Sequence, residues 1–82
     1  MKNIIYIVED DKSISDLYLM AFDSNEFEVK CFSTAESFFE ELEKFRCDLI
    51  LMDLMLPGMD GITAIKKLKE SAMNAEIPVI IV

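Results

Sequence analysis

The sequence predicts an α/β fold built on an open parallel sheet with helices on both faces. Three observations carry that prediction. Short β-branched apolar runs alternate with segments of helical period along the whole chain. Ile4-Ile5-Tyr6-Ile7-Val8 and Leu49-Ile50-Leu51-Met52 are apolar at every position, the pattern of strands buried on both faces. Acids then stand where those runs meet water: Glu9-Asp10-Asp11 after the first, and Asp53 near the end of the other.

The first strand is Ile4 to Val8, ended by the three acids. A helix runs from Lys12 to about Ser24, where Ile14, Leu17, Tyr18 and Ala21 recur at three and four residues and Asp10 or Asp11 is placed to cap the first turn. Leu19, Met20 and Phe22 widen its apolar surface beyond one stripe. Phe27, Val29 and Cys31 alternate with Glu28 and Lys30, which suits a second strand nearer a sheet edge. Ser33-Thr34-Ala35-Glu36 reads as a capping box, with Ser33 at the cap, opening a helix to about Phe45. That helix sets Ala35, Phe38, Phe39, Leu42 and Phe45 against an acidic outer face. The third strand is Asp48 to Leu54. The turn Pro57-Gly58-Met59-Asp60-Gly61 then leads to a third helix, about Ile62 to Ala72, with Ile62, Ile65 and Leu68 inward. In that turn Gly58 or Gly61 takes positive φ, and Asp60 caps the helix. Lys66, Lys67 and Lys69 form its solvated face. Ile77 to Val82 is a fourth strand, and right-handed crossovers join the four.

Composition narrows the possible functions. The 82 residues make one domain, with no internal repeat or low-complexity stretch. Sixteen acidic against 8 basic residues give a formal charge of −8, which argues against direct contact with nucleic acid. There is no histidine, and Cys31 and Cys47 lack metal-ligand spacing, so zinc sites and Cys/His catalysis are excluded and both thiols are expected to be reduced core residues. The N-terminal apolar run is too short for a signal peptide or a membrane span, so the expected location is cytoplasmic, away from membranes. No glycine-rich phosphate loop is present.

Asp53 needs a reason to exist. A carboxylate in a strand buried on both faces costs on the order of several kcal/mol unless it is paired, metal-bound or at the wet end. In open parallel sheets, sites lie beyond the carboxyl ends of the strands. If the first and third strands are neighbours, Glu9, Asp10, Asp11 and Asp53 converge there. Converging carboxylates repel one another, so the arrangement implies a hard divalent cation, Mg²⁺ foremost. Helix capping alone explains the first cluster but not Asp53, and a wet strand end explains Asp53 but not the cluster.

The strings IYIVEDD and DLILMDLMLPGMDG resemble the receiver domain of two-component response regulators, at the spacing that family uses between its acid pair and its phosphoacceptor. The resemblance runs through the entry to the fourth strand, Ile77-Pro78-Val79, and its wording is similar to the receivers of winged-helix transcription regulators. It implies the flavodoxin-like receiver topology. It also implies that Asp53 accepts a phosphoryl group from a phosphohistidine on a sensor histidine kinase. Asp11 and Asp53 would bind Mg²⁺ directly, Asp10 would hold it through water, and the backbone carbonyl of Met55 would add a ligand, with Glu9 outside that set. Such a protein is not an enzyme in the ordinary sense, although receivers catalyse their own phosphorylation and dephosphorylation. Met55, which faces the phosphorylation site in family members, is expected to hinder attacking water.

The family has a Ser or Thr directly after the fourth strand, then further elements that include a phosphate-binding Lys, whereas this sequence reaches Val82 at that point. By the resemblance, residues 1–82 are therefore expected to be the N-terminal part, roughly two-thirds, of a receiver, about (βα)3β, without the switch hydroxyl and Lys. On that reading the fourth strand is a bare apolar edge and the first helix has an uncovered face, which predicts a homo-oligomer through either one. The alternative is a shortened interaction module that no longer switches. A phosphohydrolase with an aspartyl nucleophile is disfavoured, because Met55 stands where its second acid belongs.

Overall fold

In the computed structural model, which describes residues 2–24 and 26–82, the elements run β1 (Asn3–Val8), α1 (Lys12–Phe22), β2 (Phe27–Phe32), α2 (Ala35–Lys44), β3 (Leu49–Met52), α3 (Gly61–Glu70) and β4 (Val79–Ile81). All strand pairs are parallel and the sheet order is β2-β1-β3-β4. The two fully apolar runs are thus the two central strands, as their composition requires. Val8 pairs with both Phe32 and Met52, so all three strands end level.

The faces of the sheet are unequal. Tyr6, Val8, Ile50 and Met52 point to the face covered by α2 and α3, where they join Phe38, Leu42, Ala64 and Leu68 in the main core. Tyr6 sits edge-on to Phe32 and Phe38 at 5.1 and 6.1 Å between ring centroids. Its hydroxyl donates to the carbonyl of Phe45 at 3.0 Å, so the polar tip of this buried ring is satisfied. Ile5, Ile7 and Leu51 point to the other face, where Tyr18 of α1 packs against them. Cys47 is buried and Cys31 half-buried, both free thiols, and burial pushes the Cys47 thiol up to about 11.

Helix orientation departs from the sequence reading in two places. On α1 it is Ser15, Tyr18 and Leu19 that turn toward the sheet, while Ile14, Leu17, Met20 and Ala21 are exposed. Apolar residues surround this helix, so periodicity does not single out its inner face. On α3 the buried positions are Gly61, Ala64 and Leu68, with Ile65 half-buried and Ile62 56% exposed. Small residues at 61 and 64 let the helix approach the end of β3 closely.

Caps and ends also shift. Thr34, not Ser33, is the N-cap of α2, its hydroxyl accepting from the amide of Ser37 at 3.1 Å. β3 is shorter than the expected Asp48 to Leu54, because the Asp48 carboxylate takes the amide of Ile4 at 2.7 Å and Asp53 lies just beyond the last paired residue. β4 covers only Val79–Ile81, with Ile77 buried ahead of it. Asp60 caps α3 as expected, accepting from Thr63 at 2.8 Å, and this amide holds its carboxyl below the usual range. Positive φ falls on Gly58, at 71°, and not on Gly61.

Candidate functional site

Two main-chain bonds place the acids side by side at the carboxyl end of the sheet. The amide of Glu9 donates to Phe32 at 2.9 Å, and the amide of Asp53 donates to Val8 at 3.0 Å. Both residues are therefore the first beyond the paired strands, on neighbours β1 and β3. Carboxylate oxygens of Glu9, Asp10 and Asp53 all lie within 4.8 Å of one another.

The three acids sit in different surroundings. Glu9 is buried, Asp53 half-buried and Asp10 exposed. Burial raises the Glu9 carboxyl above the ordinary glutamate range, and the neighbouring Asp53 pushes it further, while the amide of Asp11, donating at 3.2 Å, opposes the rise. Neither ion pair found among the described residues, Lys12–Asp16 and Lys30–Glu41, neutralises the cluster. A shallow cleft of about 250 Å³ opens beside it, lined by Glu9, Asp10, Ser15 and Ser33 among others. A larger cavity of about 320 Å³ lies elsewhere, between α2 and the segment after α3.

Asp11 does not join this group. Its Oδ1 accepts from the amides of Ser13 and Ile14 at 2.9 and 3.3 Å, so it is the N-cap of α1. The acid pair beside Asp53 is thus Glu9 and Asp10, one residue earlier than the sequence reading places it. The cap separates them: of the two candidates, Asp10 and Asp11, it is Asp11 that caps the helix opening at Lys12, which leaves the preceding pair for the site.

The loop after β3 finishes the site. The amide of Met55 donates to Oδ1 of Asp53 at 3.0 Å and fixes that carboxylate's orientation, while Met55 is 82% exposed. It is by this amide that the structure ties Met55 to Asp53. The amide of Gly61 closes the loop's base on the carbonyl of Leu54 at 3.1 Å.

A family model for the response regulator receiver domain matches residues 5–82. The chain belongs to the response regulator receiver family. Over 80 residues this receiver is 36% identical to the phosphate regulon transcriptional regulatory protein PhoB of Escherichia coli (strain K12), an alignment covering 98% of this chain and 35% of PhoB. Over 81 residues it is 31% identical to the response regulator protein TmoT of Ectopseudomonas mendocina, covering 99% of this chain and 36% of TmoT. The receiver also superposes on the crystal structure of the Mn(2+)-bound form of response regulator Rcp1 with a TM-score of 0.89 at 26% identity, covering 96% of this chain and 63% of that one. It spans about a third of the length of the curated relatives it matches. Among the described residues of the receiver, no helix is long and apolar enough to cross a membrane.

Proposed function

We propose that this receiver is the accepting end of a cytoplasmic phosphotransfer, in which Asp53 takes a phosphoryl group from a phosphohistidine on a sensor histidine kinase. An oxygen of Asp53 forms the new bond to phosphorus as the bond between phosphorus and the imidazole nitrogen breaks, and the nitrogen keeps the electron pair. The observation that carries this reading is the convergence of Glu9 and Asp10 on Asp53, with the Met55 amide holding one oxygen of the acceptor.

The donor set fits Mg²⁺. Hard oxygen ligands suit this ion, and the Glu9 carboxyl, raised first by burial and then by the neighbouring Asp53, carries a repulsion that a cation would relieve. Asp10 and Asp53 would hold it, with Glu9 at the buried side and the Met55 carbonyl as a further donor. When bound, Mg²⁺ supplies positive charge against the phosphoryl oxygens as transfer proceeds. That the related response regulator Rcp1 has a Mn(2+)-bound form supports a divalent ion as the partner of a receiver of this fold. The rest of the work belongs to the chain: the Met55 amide orients the nucleophile and the main-chain bonds from β1 and β3 fix its depth, while the exposed Met55 side chain would, by the family resemblance, stand at its approach.

The test is incubation with Mg²⁺ and acetyl phosphate, followed by intact-mass measurement. The expected result is a single phosphoryl gain that is absent in Asp53→Asn. No gain in the parent chain, or a gain that survives Asp53→Asn, overturns the reading.

A further inference from the structure

Glu36 lies in the first turn of α2, where a capping box would turn it back onto its own helix cap. It reaches elsewhere. Its Oε2 accepts from the amide of Met59 at 3.3 Å, across 23 residues of sequence. The same carboxylate lies against Gly58, where an added Cβ would stand 3.0 Å from Oε2. Gly58 thus serves twice: its φ of 71° turns the loop, and its missing side chain leaves room for the acid.

This contact matters because of what the loop carries. Residues 54–60 have no regular structure, and they are closed at the base by Gly61 on Leu54 and capped at the end by Asp60. Among the described residues, Glu36 is the one side chain from another element that hydrogen-bonds this loop's backbone. Near the start of the loop, the amide of Met55 orients Oδ1 of Asp53. A tether at 58–59 therefore restrains the segment that sets the acceptor.

We propose that Glu36 is a positioning residue for the phosphoacceptor site: from α2 its carboxylate clamps the β3–α3 loop at Gly58 and Met59, and so keeps the Met55 amide on Asp53. Its effect on transfer rests on the phosphoacceptor reading above. A displacement of about 1 Å at a reacting group is enough to lower a rate by one to two orders of magnitude.

Two variants separate the clamp from other roles of an acid at a helix start. Glu36→Ala removes the acceptor, whereas Glu36→Gln keeps an oxygen able to accept the Met59 amide. Both remove the same charge from the N-terminus of α2, so macrodipole effects cancel between them. Phosphorylation by acetyl phosphate at saturating Mg²⁺ and amide hydrogen exchange at Met59 are measured on the parent chain and on both variants. The expected result is that Glu36→Ala slows phosphorylation about tenfold and speeds exchange at Met59, with Glu36→Gln within about twofold of the parent on both counts. Parent-like phosphorylation in Glu36→Ala, or equal slowing in both variants, overturns the proposal. So does equal exchange at Met59 in all three chains. If the parent takes no phosphoryl group, the phosphoacceptor reading fails by itself, and exchange alone decides the clamp: faster exchange in Glu36→Ala but not in Glu36→Gln supports it.

Discussion

Gly61 is packed so closely on Asp53 that a Cβ at position 61 would overlap the carbonyl oxygen of Asp53 and stand 2.7 Å from the Cα of Leu54. The atoms in the way are backbone, which cannot swing aside as a side chain would. The first residue of α3 and Asp53 are thus parts of one packed unit.

Gly61→Ala is therefore expected to destabilise the fold by roughly 1 to 3 kcal/mol, the range for overpacking a tight interior, and to lower phosphorylation of the folded fraction by shifting the backbone under Asp53. Urea unfolding gives the first number and acetyl phosphate kinetics the second. A parent-like midpoint would show that the helix can retreat without cost.

Asp10 and Asp11 are adjacent in sequence but separate in place: Asp10 gathers with Glu9 and Asp53, and Asp11 caps α1. Asp10→Asn is expected to weaken Mg²⁺ binding by at least the roughly tenfold that even outer-shell changes cost. Asp11→Ala is expected to leave Mg²⁺ binding near the parent value and to lower stability by about 1 kcal/mol through loss of the α1 cap. Titration calorimetry with Mg²⁺, paired with thermal unfolding, checks both; the reverse pattern would restore Asp11 as a ligand.

Met55 is 82% exposed and its amide holds Oδ1 of Asp53; on the proposed reading its side chain stands at the approach to that carboxylate. Met55→Asn should shorten the lifetime of the aspartyl phosphate by opening a path for water and offering it a polar partner, with stability changed by less than about 0.5 kcal/mol. The decay of phosphorylated protein, followed by mass, measures this. An unchanged decay would mean that the side chain does not guard the bond.

The raised Glu9 carboxyl gives a pH dependence of definite sign. Between the ordinary glutamate range and the raised value, the folded chain keeps a proton that the unfolded chain has lost. Stability linked to Glu9 is therefore complete below the ordinary range and is lost as pH rises through the raised value. Without metal, Glu9→Gln should be more stable than the parent at neutral pH and should lack this falling limb. With Mg²⁺ present the parent should recover. Urea unfolding across pH, with and without the ion, decides it; identical profiles for parent and variant would remove Glu9 from the cluster's electrostatics.

Exposed apolar side chains, Leu17 at 64% and Met20 at 81% on α1 and Ile80 and Ile81 on the edge strand β4, predict that the 82-residue chain self-associates by itself. Light scattering over a concentration series should show mass rising above the monomer, less so for Leu17→Lys. A monomer at the highest concentration would contradict this.

How far the sequence can be read depends on how many explanations each residue admits. Ile4–Val8 and Leu49–Met52 fit only central strands, and Asp53 stands out because nothing in such a strand accounts for an acid. The run Glu9-Asp10-Asp11 admits two uses, cap and site, and only the start of α1 at Lys12 assigns one acid to the cap and two to the site. The inner face of α1 is illegible because Leu17 and Leu19 carry the same hydrophobicity, and tertiary packing alone chooses between them. Glu36 fits a capping box by spacing, yet its partner lies 23 residues away, a distance local pattern does not span.

The sheet register carries one more consequence. Glu9 and Asp53 meet because Val8 is level with Met52, and a slip of one residue between β1 and β3 would carry the acids apart by about 3.3 Å while turning the core-facing side chains of one strand outward. A misaligned chain could still be rich in strand and helix by spectroscopy, but it would have no gathered carboxylates. On the proposed reading, divalent-ion affinity is thus a gauge of strand alignment, reporting which molecules in a refolded sample have paired their central strands correctly before any phosphoryl group is offered.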